Sequence, residues 1–212
     1  MTPSAKFWDR AASRYAKSPI RDMQAYTYTR ERTRSYLTPD STALELGCGT
    51  GSTALELAPS LGHITGTDIS LEMIGIARQK AATQGVENVR FVTADASGQM
   101  PESGPYDVVL AHNLWHLVPD TEEAIARVHE QVKPGGLFIS KTPCLGQPGM
   151  SWKIRLMLLA IPVLQWLGKA PFVRRFSIDE LEGIITSRGF EIIESGNFPA
   201  DPPSRYIVAR RV

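Results

Sequence analysis

Short apolar runs alternate with longer, half-polar stretches along most of this chain. The runs Thr42–Leu46, His63–Thr67, Val89–Val92, Asp107–Ala111 and Leu137–Lys141 have the length and composition of buried strands. Between them, Thr53–Ala58, Leu71–Thr83 and Thr121–Gln131 read as helices, with Ser70 and Asp120 at N-cap positions. That alternation predicts a parallel sheet with helices on both faces. A last helix, Ile178–Arg188, stops at Gly189, and strands Phe190–Glu194 and Tyr206–Arg210 follow. The linker Ser195–Arg205 is long enough to let these two pair antiparallel without a crossover helix.

Two segments stand outside this rhythm. Lys6–Tyr36 carries six aromatic residues and reads as two helices flanking a break at Ser18-Pro19. Ser151–Leu167 is inserted between the fifth strand and the last helix, is uncharged from Leu156 to Gly168, and contains Pro162, which should kink it. Those uncharged residues fall short of the roughly 20 needed to cross a bilayer. The segment therefore either packs over a pocket or lies in a membrane interface, where Lys153, Arg155, Lys169, Arg174 and Arg175 would flank it.

The densest chemistry lies in Ala43-Leu44-Glu45-Leu46-Gly47-Cys48-Gly49-Thr50-Gly51-Ser52, a strand, a glycine turn and a helix start in succession. Glycines there let the chain bend with positive φ while amides converge at a helix N-terminus. A dinucleotide turn would read Gly-x-Gly-x-x-Gly, and here the third glycine comes one residue early. Glu45, just before the turn, would repel a pyrophosphate and suits a cationic ligand. S-adenosylmethionine, with a sulfonium, an ammonium and no phosphate, fits that requirement.

The stretch resembles motif I of the class I S-adenosylmethionine-dependent methyltransferases, and the likeness continues in order. His63–Ser70 is similar to the family's second strand ending in an acid, Asp68, placed 21 residues after Gly47. Phe91–Ala96 is similar to the third, Tyr106–His112 to the fourth, and Val132–Leu137 to the turn into the fifth. The resemblance covers roughly residues 42–141. It implies an α/β fold: a doubly wound, mostly parallel seven-stranded Rossmann-like sheet with an antiparallel edge strand, N-terminal helices and a helical insertion covering the active site. The division it suggests is a single domain over 1–212, with cap helices in 1–37, the cofactor-binding core in 42–141, a lid in 142–176, and the last helix and strand pair in 177–212. By the same resemblance, Glu45, Gly47, Cys48, Gly49, Gly51, Asp68, Ile69, Met73, Asp95, Ala96 and His112 would hold S-adenosylmethionine. Asp68 would accept from the ribose, Asp95 would bind the adenine amino group, and Tyr15 would close over the cofactor.

Composition narrows the partners. With 212 residues and 42% hydrophobic content the chain can build a substantial core. Its two cysteines, Cys48 and Cys144, form neither a disulfide framework nor a zinc spacing, and the N-terminus lacks a signal peptide's apolar run, so a cytoplasmic setting, peripheral to a membrane in the interfacial reading, is expected. Net charge is +1, but residues 37–130 carry four basic and thirteen acidic residues whereas 131–178 carry seven basic and none acidic. A basic cover over an acidic core favours an anionic acceptor or an anionic membrane surface contacted through 151–175, unless the basic helices only complement that core.

Methyl transfer is an in-line displacement at an activated carbon, so the protein chiefly aligns the acceptor and excludes water. His116 is the first candidate for a base or acceptor-orienting group, with Tyr15 beside it, while His112 more naturally lies along the methionine moiety. The His112-x-x-x-His116 spacing would need one continuous helix to bind a metal, no third ligand is evident, and no metal is expected. After the fourth strand the chain lacks the motifs of RNA-cytosine and adenine-amino methyltransferases, which disfavours nucleic acid. The expected function is transfer of a methyl group to a small, apolar or amphiphilic acceptor, with a membrane-surface lipid or quinone methyltransferase and a non-catalytic cofactor-binding regulator as rivals.

Overall fold

Seven strands hydrogen-bond in the order β3-β2-β1-β4-β5-β7-β6 in the computed structural model, which describes residues 2–98, 104–150 and 152–212, the side chains of Lys153 and Arg155 excepted. The strands are β1 (Thr42–Leu46), β2 (His63–Asp68), β3 (Val89–Thr93), β4 (Tyr106–His112), β5 (Val132–Pro143), β6 (Phe190–Asn197) and β7 (Ser204–Arg211). From β3 through β5 every pairing is parallel; β7 runs antiparallel to both β5 and β6. The reversed strand thus sits one place in from the edge, and the edge itself is β6. Strand order reverses between β1 and β4, which opens a crevice at their carboxyl ends.

The helices are α1 (Pro3–Lys17), α2 (Met23–Arg34), α3 (Ser52–Leu57), α4 (Leu71–Gln84), α5 (Thr121–Gln131), α6 (Trp152–Trp166) and α7 (Ile178–Ser187). Residue alternation assigns the two cores. Leu44, Leu46, Val109, Ala111 and Phe138 face α5 and α7, whereas Ala43, Val108, Leu110, Ile139 and Tyr206 face α3 and α4. The Ser70 hydroxyl accepts from Met73 N–H at 3.1 Å and caps α4, and Gly189 follows α7 at φ +81°.

Two details differ from the sequence expectation. Asp120 occupies the cap position of α5, as expected, but its side chain makes no capping bond; next to it Thr121 Oγ1 donates to the Val118 carbonyl at 2.7 Å. The segment expected as a turn before the fifth strand belongs to β5: Tyr106 pairs with Val132 and Val108 with Leu137, so Lys133–Gly136 bulges while staying beside β4.

The N-terminal helices are tied down at separate places. Asp9 of α1 accepts the Ser70 hydroxyl at 2.6 Å and Glu72 N–H at 3.2 Å, so it docks on the start of α4. In α2, Arg32 ion-pairs with Glu194 of β6, and Thr33 Oγ1 meets the Tyr206 hydroxyl at 3.2 Å. The connection through Ser18-Pro19 therefore crosses the crevice mouth.

Candidate active site

β1 carries Glu45 and Leu46 up to Gly47, and the turn that follows is sterically defined. A Cβ on Gly47, at φ +64°, would meet Leu114 Cδ1 at 2.7 Å; one on Gly51, at φ +75°, would meet the Phe91 ring at 2.6 Å and Ala77 at 2.8 Å. Cys48 N–H donates to the Thr67 carbonyl at 2.8 Å, and Gly51 N–H to the Cys48 carbonyl at 3.0 Å, which fixes the turn to the end of β2.

Asp68 joins two turns. Its Oδ2 accepts Gly49 N–H at 3.0 Å and its Oδ1 accepts Ser70 N–H at 2.8 Å, leaving a further lone-pair direction on each oxygen for a ligand. Burial raises its pKa against the lowering effect of those amides. Asp95, after β3, accepts Ser97 N–H at 2.8 Å through its carboxylate.

The crevice divides into two adjoining cavities. The first, about 350 Å³, is lined by Trp8, Asp68, Ile69, Met73, Asp95 and Ala96 among others; the second, about 760 Å³, by Glu45, Cys48, Tyr26, Lys141, the 18–22 connection and Pro199 and Pro202 of the β6–β7 loop. Tyr15, Gly47, Gly49, His112 and Asn113 belong to both. This shared wall is where a group bound in one cavity meets a group bound in the other.

Electrostatics differ along the wall. Glu45 is buried at the foot of the second cavity, its Oε2 has no partner, and burial pushes its carboxyl up to about 8 despite a bond from the Ala54 backbone. Tyr15 exposes half its surface (51%), yet crowding of its hydroxyl, followed by the fields of Asp68 and Glu45, raises the phenol above its ordinary value. His112 is pushed down to about 4 by burial and then by Lys141, and its Nε2 lacks a partner. At neutral pH it is an uncharged imidazole. Burial pushes the Cys48 thiol well up, so a thiolate is disfavoured there.

Of the residues singled out from sequence, Gly47, Gly49, Asp68, Ile69, Met73, Asp95, Ala96, Tyr15 and His112 come together around the first cavity, while Glu45 and Cys48 line the second. Gly51 lies beneath, packed on Phe91. His116 sits in a one-turn 3-10 helix, Trp115–Leu117, outside both linings; its ring is held near 4 by burial, and its carbonyl accepts Arg174 N–H at 2.7 Å. His112 ends a strand, so no single helix carries the two imidazoles. None of the described side chains of α6 lines either cavity, and Leu158 and Leu159 instead border a separate pocket with 145–150 and Arg175. Of the basic flanks, the side chains of Lys153 and Arg155 lie outside the described residues, as does Ser151.

Sequence reading passed over Asn113 and Lys141. Asn113 takes φ +57°, a left-handed conformation that asparagine tolerates better than most residues, immediately after β4. Lys141 carried a visible signal, a lysine close behind the apolar run Leu137–Ile139 of β5.

Sheet order, glycine turn and strand-end acids define a doubly wound protein built to hold a nucleoside-like ligand at its topological switch point. Residues 37–162 match the family model described as a methyltransferase domain. The ubiquinone biosynthesis O-methyltransferase of Sinorhizobium medicae is 31% identical over 158 residues, 71% of this chain and 60% of that protein. Its namesake in Aeromonas salmonicida is 37% identical over 100 residues, 46% of this chain and 41% of that one. Phosphoethanolamine N-methyltransferase 2 of Caenorhabditis elegans is 31% identical over 46% of this chain and 23% of its own length. These matches span less than two thirds of each relative. Among solved structures, magnesium protoporphyrin IX methyltransferase from Synechocystis PCC 6803 with bound SAH superimposes with a TM-score of 0.71 at 20% identity, covering 99% of this chain and 96% of that one. The chain belongs to the class I S-adenosylmethionine-dependent methyltransferase family.

Proposed function

We propose that this protein transfers a methyl group from S-adenosylmethionine to a small, apolar or amphiphilic acceptor. The observation that carries the reading is the pair of cavities joined along Tyr15, Gly47, Gly49, His112 and Asn113. In this reading adenosine fills the first cavity, with Asp68 accepting from the ribose, Asp95 from the adenine amino group, and Ile69, Met73 and Ala96 as apolar walls. The methionine ammonium would face Glu45, whose unpartnered buried oxygen could receive it once the carboxyl ionises, and the sulfonium would lie at the shared wall.

The acceptor then enters the second cavity and attacks in line. Its lone pair forms the bond to the methyl carbon as the carbon–sulfur pair returns to sulfur. The protein's part is alignment and exclusion of water. Tyr15 covers the reacting centre, and neutral His112 offers its free Nε2 to orient the acceptor. His116 takes a structural place here, since its ring is outside both linings.

Calorimetry with S-adenosylhomocysteine and labelled methyl transfer into cell extract, partitioned between organic and aqueous phases, test the reading together. Tight binding with label entering the organic phase supports it. Binding without transfer to thiols, phenols, amines or lipids favours a cofactor-binding regulator, and absence of binding rejects both.

A second reading sets the same chemistry at an anionic lipid surface, with a lipid or quinone acceptor. It is favoured by α6, where Trp152, Leu156, Met157, Leu159, Val163 and Trp166 are all exposed and Leu158 is buried, within a region free of acidic residues. No helix among the described residues is long and apolar enough to cross a membrane. Co-sedimentation with phosphatidylcholine vesicles, with and without phosphatidylglycerol, checks it: binding at low salt that needs the anionic lipid supports the surface reading, and no binding removes it.

A further inference from the structure

Of the described lysines and arginines, Lys141 alone is buried, at 9% exposure. It lies two residues before the end of β5, in register with His112 of β4 on one side and Tyr206 of β7 on the other. Cross-strand partners share a face, and Tyr206 reaches Thr33 of α2, so all three side chains point to the α2 side of the sheet. There Lys141 lines the second cavity together with His112, Tyr26 and Asp22.

Its ammonium is poorly compensated. Nζ donates to Thr29 Oγ1 at 3.3 Å, and that hydroxyl in turn donates to the Ala25 carbonyl at 2.9 Å. Among the described residues Lys141 makes no ion pair. Asp22 contributes its field without an ion pair to Lys141, and its Oδ1 accepts Ala25 N–H at 2.8 Å. A buried cation without a counterion is costly, and a bound anion relieves that cost. Beside it, the Nε2 of His112 is also unpartnered. An ammonium and a neutral imidazole, adjacent in register and open to one cavity, match an acceptor that brings an acidic oxygen.

Resting on the methyltransferase reading, we propose that Lys141 selects acceptors bearing a phenol, enol or carboxylic acid, which it binds as the oxyanion beside the shared wall. The acceptor's proton leaves to solvent on binding, before transfer. The oxyanion then forms its bond to the methyl carbon, and the carbon–sulfur pair passes to the sulfonium, which becomes a neutral thioether. No proton moves in that step. The product is an uncharged ether or ester that no longer pairs with Lys141, which favours its release.

4-Nitrophenol is the probe, because its phenolate absorbs in the visible and its neutral form does not. It is titrated into the full chain saturated with S-adenosylhomocysteine, at a pH below its own pKa. The proposal expects a visible band on binding, equivalent to an acid dissociation constant raised about tenfold. The band should be lost in Lys141→Met and largely kept in Lys141→Arg, with S-adenosylhomocysteine affinity unchanged in both by calorimetry. Absence of a band in the native chain, or an undiminished one in Lys141→Met, overturns the proposal. So does a tenfold loss of S-adenosylhomocysteine affinity in Lys141→Met, which would pair the lysine with the cofactor's carboxylate. A native chain that does not bind S-adenosylhomocysteine at all brings down the methyltransferase reading itself, a separate and recognisable failure.

Discussion

The first cavity is walled largely by strand ends and the turns that leave them, whereas the second borrows much of its wall from the α1–α2 connection and the β6–β7 loop. In the first, backbone amides hold the recognition groups: Asp68 is fixed by Gly49 and Ser70, Asp95 by Ser97. In the second, the polar groups face space. Glu45 and His112 have buried atoms without partners, and Lys141 has only a hydroxyl. A preformed cavity built on the sheet suits one invariant ligand, while a cavity closed by connections can change its occupant without disturbing the fold.

Gly51→Ala attacks the rigid side hardest. A methyl there needs both a left-handed backbone and the space of the Phe91 ring, so denaturant unfolding should show a loss of about 3 kcal/mol. A loss below about 0.5 kcal/mol would mean that the turn is free to rearrange. Asp68→Ala should leave the fold in place and weaken S-adenosylhomocysteine binding by about 2–3 kcal/mol in calorimetry, the scale of hydrogen bonds to a charged group.

Glu45 sharpens the comparison through pH. The free protein holds this carboxyl protonated up to about 8, and a ligand ammonium facing it favours the ionised form. Binding should therefore release up to one proton at neutral pH and tighten as pH rises towards 8. Calorimetry in buffers of different ionisation enthalpy reads that proton, and Glu45→Gln should abolish it. His116→Leu should have the smallest effect. Its buried Nδ1 has no partner to lose, so methyl transfer should remain within about twofold of the native rate, and a far larger drop would return His116 to the reacting centre.

The contrast also explains what could be read from the chain. The strands from β1 to β4, the glycine turn and the acids Asp68 and Asp95 were legible because each is a local pattern: an apolar run, a positive-φ position, an acid at a strand end. Asp120 stands at the cap position expected of it, and only the folded geometry shows that its side chain makes no capping bond there. The wall of the second cavity was hidden because Ser18-Pro19, Lys141 and Pro199–Pro202 meet only when β7 inserts between β5 and β6. For the insertion at 151–167 the sequence leaves a lid and an interfacial segment open, and the exposed tryptophans and leucines of α6 bear on the second of these.

A crystal structure with S-adenosylhomocysteine bound tests the central claim most directly. Adenosine should lie against Ile69 and Ala96 with its ribose on Asp68, and sulfur should stand at the wall of Tyr15 and His112, facing the cavity that contains Lys141. Density elsewhere, or sulfur turned away from that cavity, would contradict the account.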